Sequence, residues 1–292
     1  MTRQWRRSFA RSITPNLCIT RRRRCPLRLN RKVDKYVAVT LTNLRSNLTY
    51  VGELVYRTTF ILMILYIFIQ LWKTAYGGEE QSAGMTLIQT IWYLVITEAI
   101  ILSKTSVAQT IAQEVRDGSL AYSINRPYSY LMYHFFNGLG DTFLRLVINF
   151  IAGSILVTYL IGLIPVKPWV LLPVLLTILL ALILDYCISA LIGLFAFKME
   201  DISSFLFIYQ KILFILGGVL IPLDFFPSWL KVTANLLPFG LIIYAPAKLF
   251  VNFSWAGFWE VAGFQVLWSL VFVILLTIVY RNGIRKVTLN GG

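Results

Sequence analysis

Side chains that commonly catalyse reactions or bind metal ions are scarce in this sequence. It has one histidine, His134, three cysteines, and 13 acidic residues against 27 basic ones. The acids are scattered along the chain, and no histidine-rich or aspartate-rich motif is present. A membrane enzyme of the lipid-transferase type needs a cluster of acids, histidines or metal ligands. The composition disfavours that class, which stays an alternative, and predicts no catalytic, cofactor or metal site in this chain.

Two further kinds of motif are missing. Nowhere does the sequence read G-x-x-x-x-G-K-[ST], the loop with which many ATPases hold nucleotide phosphates. The cysteines, Cys18, Cys25 and Cys187, have neither the number nor the spacing of a disulfide framework or a zinc site. If the protein uses ATP, we therefore expect a separate polypeptide to bind and hydrolyse it.

Long apolar stretches are abundant. The chain is 58% hydrophobic and 14% charged, and a helix that crosses the ~30 Å hydrocarbon core needs roughly 20 apolar residues. In lipid every backbone N–H and C=O group must be paired within its segment, which favours helices. The sequence predicts an all-α integral membrane protein with six transmembrane helices, at about residues 55–72, 86–103, 142–163, 169–197, 204–222 and 258–280.

Positive charge is concentrated on one side of this pattern. Between Arg3 and Arg45 there are 13 basic residues and one acid, Asp34. The segment after the second stretch adds Lys104, Arg116 and Arg126, among others. Because cytoplasmic flanks carry excess lysine and arginine, we expect the N-terminus, this segment and the C-terminus to lie in the cytoplasm.

The region before the first span divides into two parts. Residues 1–32 are a basic tail, predicted to be disordered, for which three interpretations remain open: a lipid-binding arm, a transit peptide, or a non-functional extension. It lacks the aromatic interleaving of nucleic-acid-binding segments, so no nucleic-acid partner is expected. Residues 33–54 carry apolar side chains at three- and four-residue steps, which predicts an amphipathic helix leading into the first span.

The predicted cytoplasmic segment at about residues 104–141 has a more specific pattern. Val107, Ile111 and Val115 recur as on one face of a short amphipathic helix, and Gly118 is placed to end it. A second short helix follows, and the chain breaks at Arg126 and Pro127 before the third span. The alternative interpretation is an ordinary loop between spans, with its charged side chains in solvent.

This segment resembles the conserved cytoplasmic loop of type-2 ABC transporter permeases, through residues 113–120 followed by Asn125, Arg126 and Pro127. A second run, punctuated by prolines within about residues 223–257, is similar to the outer re-entrant segment of that family. The resemblance extends from about residue 33 to the C-terminus. It implies a permease subunit of an exporter in the bacterial inner membrane, one that pairs with a second identical or related permease and with ATPase subunits holding ATP and Mg.

The resemblance also implies roles for individual residues. The interface that couples the permease to the ATPase would be formed by Gln113, Glu114, Arg116, Gly118, Leu120, Arg126 and Pro127. The outer re-entrant segment would include Pro222, Phe226, Pro227, Trp229, Pro238 and Pro246.

Three charged residues lie away from the ends of the predicted spans: Glu98, Asp185 and Lys211. Such residues usually face a bundle interior or a wet cavity, because each costs roughly 2.5–3.5 kcal/mol on insertion scales. We predict that Asp185 and Lys211 pair and lock two helices together; contact with the substrate is the alternative. A secondary transporter or channel, working without an ATPase, is the main alternative function. Membrane lipids are expected partners in every case.

Overall fold

The structure is a computed structural model that describes residues 31–49, 51–199 and 201–290. The expectations for the basic tail before residue 31 lie outside these residues. The chain divides into two units, Met1–Lys35 and Tyr36–Gly292. Of the first unit, residues 31–35 are described, and they are helical. All that follows concerns the second unit.

The described residues are predominantly α-helical, as predicted. The α-helices are α1 (Arg31–Thr49), α2 (Val51–Tyr76), α3 (Leu87–Ser103), α4 (Val107–Arg116), α5 (Leu120–Ile124), α6 (Tyr130–Leu160), α7 (Leu171–Leu194), α8 (Ser203–Leu216), α9 (Ser228–Leu236), α10 (Pro238–Ile242), α11 (Tyr244–Val251) and α12 (Trp255–Asn290). Single 3-10 turns are formed by Pro168–Val170, Phe195–Phe197 and Leu223–Phe225. A small antiparallel hairpin, β1 (Gln81–Ser82) and β2 (Met85–Thr86), lies between α2 and α3.

Five helical stretches in the described residues are long and apolar enough to cross a membrane: Gly52–Tyr76, Leu87–Arg116, Tyr130–Leu160, Pro168–Phe197 and Trp255–Arg285. The sequence predicted six. The remaining stretch, residues 204–222, forms only the 14-residue helix α8, which spans about 21 Å at 1.5 Å per residue. It ends early because Gly217 and Gly218 follow, and Gly218 has a φ of +69° that turns the chain away.

The helix α3 forms the centre of the bundle. It packs against α2, α6 and α11, and side chains on all its faces are buried. Its first turn is fixed by reciprocal hydrogen bonds: the Thr86 hydroxyl accepts from the Gln89 backbone N–H (3.3 Å), and the Gln89 side chain accepts from the Thr86 N–H (3.0 Å). This capping box satisfies two backbone donors that a helix start leaves free. We call the end where α3 finishes and α2 and α6 begin the inner end, and the opposite end the outer end.

The amphipathic helix predicted before the first span is present as α1, which ends at Thr49. Its Thr40 hydroxyl donates to the Phe136 carbonyl (2.9 Å), and the Tyr36 ring stacks on Phe136 with centroids 5.2 Å apart. Tyr36 also accepts a hydrogen bond from the Ser129 N–H (3.1 Å). These contacts hold α1 against the start of α6, while apolar side chains on its other face, such as Leu41, stay exposed.

Between α8 and α12, the predicted outer segment is folded into short helices. The prolines explain the breaks, because each lies at the start of a helix or just before one: Pro227 precedes α9, and Pro238 begins α10. Most of α10 and α11 is buried against α3, α7 and α12.

Candidate functional site: the coupling segment and two charged clusters

We call the segment predicted at about residues 104–141 the coupling segment. Its predicted amphipathic helix is present as α4. Its Ala108, Ile111 and Ala112 are buried against α7. Gly118 follows with a φ of +74°, a left-handed conformation in which glycine carries no steric penalty. The chain then reverses into α5. Both short helices and the glycine stop were predicted correctly.

Glu114 lies on the inward side of α4. Its carboxylate accepts a hydrogen bond from the Tyr130 hydroxyl (2.8 Å) and lies 3.3 Å from His134 Nε2. Tyr130 in turn stacks on Tyr280 of α12, with ring centroids 5.7 Å apart. Glu114 therefore ties α4 to the first turns of α6. The family resemblance implied that Glu114 belongs to the ATPase interface. In the structure its hydrogen bonds are made within this chain.

Leu120 also points inward. It is buried with Ile111, Tyr130, Ala190, Leu194 and Leu276 in a small apolar cluster at the inner end. This cluster fixes α5 to the bundle. A leucine in this environment stabilises the segment and is not available to a partner.

The outward side of the segment is polar and accessible. Seven of its exposed residues are Gln113, Arg116, Asp117, Gly118, Tyr122, Arg126 and Pro127; we call these seven the coupling face. Tyr122 is its most unusual member, because 78% of the residue is exposed. Hydrogen bonds from the side chain and backbone of Ser119 lower the pKa of Asp117, which stays charged near neutral pH. The coupling face therefore presents an aromatic ring among charges of both signs.

A buried ionic cluster lies directly behind the coupling segment. Lys104, the residue that follows α3, forms a salt bridge with Asp185 of α7. The Tyr209 hydroxyl of α8 donates to the same carboxylate (2.5 Å). Lys104 Nζ also lies 4.8 Å from the centroid of the Tyr209 ring. The inner cluster of Lys104, Asp185 and Tyr209 thus joins the end of α3 to α7 and α8 at the point where the coupling segment begins.

The predicted pair of Asp185 and Lys211 is wrong. Lys211 is exposed on α8, and its Nζ lies 5.0 Å and 5.9 Å from the ring centroids of Phe207 and Phe214. The two residues lie on adjacent helices, but the end of α3 supplies a nearer cation. Glu98 is buried in α3 and, within the described residues, forms neither a salt bridge nor a side-chain hydrogen bond.

A cavity opens between the inner cluster and α8. It has a volume of about 360 Å³ and is lined by apolar side chains such as Leu213 and Phe214 together with the polar Gln109, Gln210 and Tyr209. The lining is mixed, with more apolar than polar surface, as in sites for amphipathic molecules.

The outer end carries a second charged cluster. The Asp224 carboxylate accepts from Lys248 (2.6 Å), from Lys231 (3.2 Å) and from the Tyr244 hydroxyl (3.1 Å). Burial alone would raise the pKa of Asp224, but the hydrogen bonds and charges of Lys248 and Lys231 outweigh it and lower this pKa. The outer cluster joins the 3-10 turn to α9 and α11.

The predicted residues of the outer segment do not form one site. Pro222, Pro238 and Pro246 are buried and shape the chain, whereas Phe226 is half-buried and Pro227 is exposed. Trp229 projects from α9 with 70% of its surface exposed.

Sequence reasoning missed Lys104, Tyr209 and Tyr122. Lys104 is the first residue after an apolar run and was counted only as a flanking charge. Tyr209 is two residues before Lys211, and a tyrosine hydroxyl in an apolar span also needs a partner. Tyr122 could have been noticed as the aromatic residue between Gly118 and Pro127. Within the described residues, no group of three or more histidines, cysteines or acids could hold a metal ion.

Comparison with known proteins places this arrangement in a family. A search of proteins with curated descriptions returned no match for the sequence. The family model described as ABC-2 family transporter protein matches residues 54–291, which include α2 to α12 and therefore the coupling segment and both clusters. This range is most of the 292-residue chain. The apolar helices mark an integral membrane protein, and the chain belongs to the ABC-2 transporter family.

Proposed function

We propose that this chain is the permease subunit of an exporter driven by a separate ATPase. Family membership supports a permease that works with an ATPase, and the coupling segment is the observation that carries the assignment here. Its inner side is fixed by Glu114 and Leu120, while its outer side is left accessible. A rigidly anchored segment with one free polar face can transmit a push from a soluble partner to the helices behind it.

The inner cluster connects the coupling segment to the helices behind it. Lys104 connects α3 to the coupling segment and is bonded to Asp185, which is bonded to Tyr209. Movement of α4 therefore acts on α7 and α8 together. We propose that cargo enters at the cavity between the inner cluster and α8, and that its mixed lining selects amphipathic molecules.

The coupling proposal is tested with the full chain and the ATPase that copurifies with it. Tyr122→Ala and Arg116→Ala each remove an exposed side chain of the coupling face. Since truncating an aromatic or arginine interface residue often costs more than about 1.4 kcal/mol, we expect roughly tenfold weaker ATPase association. Unfolding should be unchanged, because neither side chain packs in the core.

Arg45→Ala is the matched control, since Arg45 is an exposed arginine at the inner end but lies on α1. We expect its association to equal that of the unaltered chain. Full ATPase association in both coupling-face variants would contradict the proposal. Transport that continues without ATP and stops when an ion gradient is removed would instead support a secondary transporter.

We further propose six spans, with α8 and the outer segment together completing the fifth crossing, and with both termini in the cytoplasm. In a background without the three native cysteines, a cysteine at Ser119 should resist an impermeant thiol reagent in intact cells. A cysteine at Ser82, in the hairpin at the outer end, should react. Labelling at Ser119 would overturn both the orientation and the coupling assignment.

A further inference from the structure

A polar cavity at the inner end has no part in the coupling scheme above. It has a volume of about 200 Å³ and lies between α1, α2, α4 and α6. Its lining is mostly polar, unlike the cavity beside α8, and includes Asn43, Arg57, Thr110, Asn137, Asp141 and Arg145. A polar cavity of this size within an apolar bundle is suited to a polar group, and its lining determines which one.

A relay of amides leads into this cavity. The Asn47 side-chain amide donates to Asn43 Oδ1 (2.8 Å), and the Asn43 side-chain amide donates to Asn137 Oδ1 (3.1 Å). Each of the two side-chain oxygens accepts from the preceding amide, and the relay ends on the NH₂ group of Asn137. That group has no acceptor within the described residues. The relay therefore presents hydrogen-bond donors to the cavity.

Charged groups beside the relay balance to neutrality. Arg57 pairs with Glu53 (2.8 Å) and Arg145 with Asp141 Oδ2 (2.7 Å), giving two guanidinium groups and two carboxylates. A guanidinium has five N–H donors, so both arginines keep donors for a further acceptor. Asp141 Oδ1 is buried and accepts no hydrogen bond in the described part of the chain. A ligand that offers both an acceptor and an N–H or O–H donor would complete this set.

The surface of α2 next to Arg57 is apolar and uncovered. Tyr56, Phe60 and Met63 are exposed, by 75%, 47% and 62% respectively. Phe60 lies one turn after Arg57, so both side chains share one side of the helix. An acyl chain along this strip would place its headgroup at the guanidinium group of Arg57.

We propose that this cavity binds the zwitterionic headgroup of a phospholipid with a primary amine, such as phosphatidylethanolamine. The phosphate accepts from Arg57 and the Asn137 amide, the ammonium donates to Asp141 Oδ1, and an acyl chain lies along α2. With Glu53 paired to Arg57 just outside the lining, the charges around the cavity sum to zero, which matches a zwitterion better than an anionic lipid. A quaternary ammonium has no N–H group, so phosphatidylcholine leaves Asp141 without a donor.

Native mass spectrometry of the full chain in mild detergent tests the site, with phosphatidylethanolamine, phosphatidylcholine and phosphatidylglycerol of identical acyl chains. Because a hydrogen bond to a charged group is stronger than one between neutral groups, we expect one ethanolamine lipid per chain, bound roughly tenfold more tightly than the choline lipid. Asp141→Asn should reduce this preference to about threefold or less. Arg57→Gln should weaken both lipids alike, by roughly fivefold, through the lost phosphate contact.

Arg45→Gln is the charge-matched control, because Arg45 is exposed on α1 and does not line the cavity. Arg57 is itself half-exposed, so its replacement leaves the packing of the bundle intact. Equal affinity for the ethanolamine and choline lipids, or equal losses in Arg57→Gln and Arg45→Gln, would overturn the proposal. Displacement of the lipid by soluble phosphoethanolamine at equal concentration would assign the site to a free phosphate ester instead.

Discussion

Aspartate, lysine and tyrosine meet twice in this molecule, around Asp185 at the inner end and around Asp224 at the outer end. The two carboxylates are covered to the same degree, with 11% and 12% of each side chain exposed. The lysines differ: 15% of Lys104 is exposed, against 25% of Lys248 and 40% of Lys231. The inner cluster has one enclosed cation, whereas the outer cluster has two cations that keep much of their hydration.

This difference has an energetic consequence. When one partner of an enclosed ion pair is removed, the other is left as an uncompensated charge in a poorly solvated site. When one lysine of a hydrated pair is removed, water and the second lysine still neutralise the carboxylate. The same three residue types thus form a cluster that depends on every member at the inner end, and one that tolerates a loss at the outer end.

The largest effect is expected at the inner cluster. Lys104→Met or Asp185→Leu alone should lower the free energy of unfolding by about 3–5 kcal/mol, and the double variant should recover most of that loss. Equilibrium unfolding in mixed micelles measures all three. Asp185→Leu combined with Lys211→Met is the matched control and should recover nothing. Recovery in that control would reinstate the pairing predicted from the sequence.

Two left-handed glycines allow a second comparison of the ends. At Gly118 a Cβ would meet no atom within 4 Å, while at Gly218 it would lie 2.7 Å from the Tyr93 hydroxyl, which donates to the Gly218 carbonyl. Gly118→Ala should cost about 1 kcal/mol from backbone strain alone. Gly218→Ala should cost about 3 kcal/mol, because it also disturbs a buried hydrogen bond.

Gly263→Ala serves as the control for these two, measured by the same unfolding titration. Gly263 lies within α12, and a Cβ there meets no atom within 4 Å. Because alanine favours helix over glycine, we expect a gain of up to about 1 kcal/mol. Equal losses of unfolding free energy in Gly118→Ala and Gly218→Ala would mean that the contact with Tyr93 does not contribute to stability.

Features of the fold that depend on neighbouring residues could be predicted from the sequence, whereas those that depend on contacts between distant residues could not. Apolar periodicity and a glycine stop are local signals, so α3, α4, α5 and the turn at Gly118 were predicted well. The limits of α6 were not: it begins at Tyr130, about 12 residues before the predicted span, because its aromatic first turns are held by tertiary contacts. The short length of α8 follows from two glycines whose effect depends on the turn that they adopt.

The charged clusters mark a second limit of sequence reasoning. Lys104 follows α3 and lies far along the chain from Asp185 and Tyr209, and nothing local specifies which cation meets Asp185. The inference that Asp185 needs a cation was sound, but Lys211 in the following predicted span was the wrong choice. The inward side of α4 is similar, because only the fold reveals that Glu114 faces Tyr130 and His134.

The outer cluster should respond to pH in a defined direction. The lowered pKa of Asp224 means that its contribution is present above the unfolded value of about 3.9 and is lost as the pH falls through the folded value. Asp224→Asn should therefore lose about 1–2 kcal/mol at pH 7, and the two proteins should converge as the pH falls below about 4.

Melting curves at neutral and acidic pH measure this convergence. Glu260→Gln removes an exposed acid of α12 and should leave stability unchanged at both values of pH. A difference between the Asp224→Asn variant and the unaltered chain that persists undiminished in acid would mean that the cluster acts through packing rather than charge.

The smallest effect is expected at Lys211. It lies within an apolar helix, and as the partner of Asp185 its loss would cost several kcal/mol. Exposed on α8 and close only to the Phe207 and Phe214 rings, it contributes a cation–π contact of about 0.5–1 kcal/mol. Lys211→Gln should lose no more than that in the isolated chain, and Lys211→Arg should lose nothing, since arginine keeps the cation over the rings. A loss above about 2 kcal/mol for Lys211→Gln would exceed what two ring contacts supply. If that larger loss appeared only in the assembled complex, Lys211 would be meeting an acid from another chain, and the outer face of α8 would be an interface.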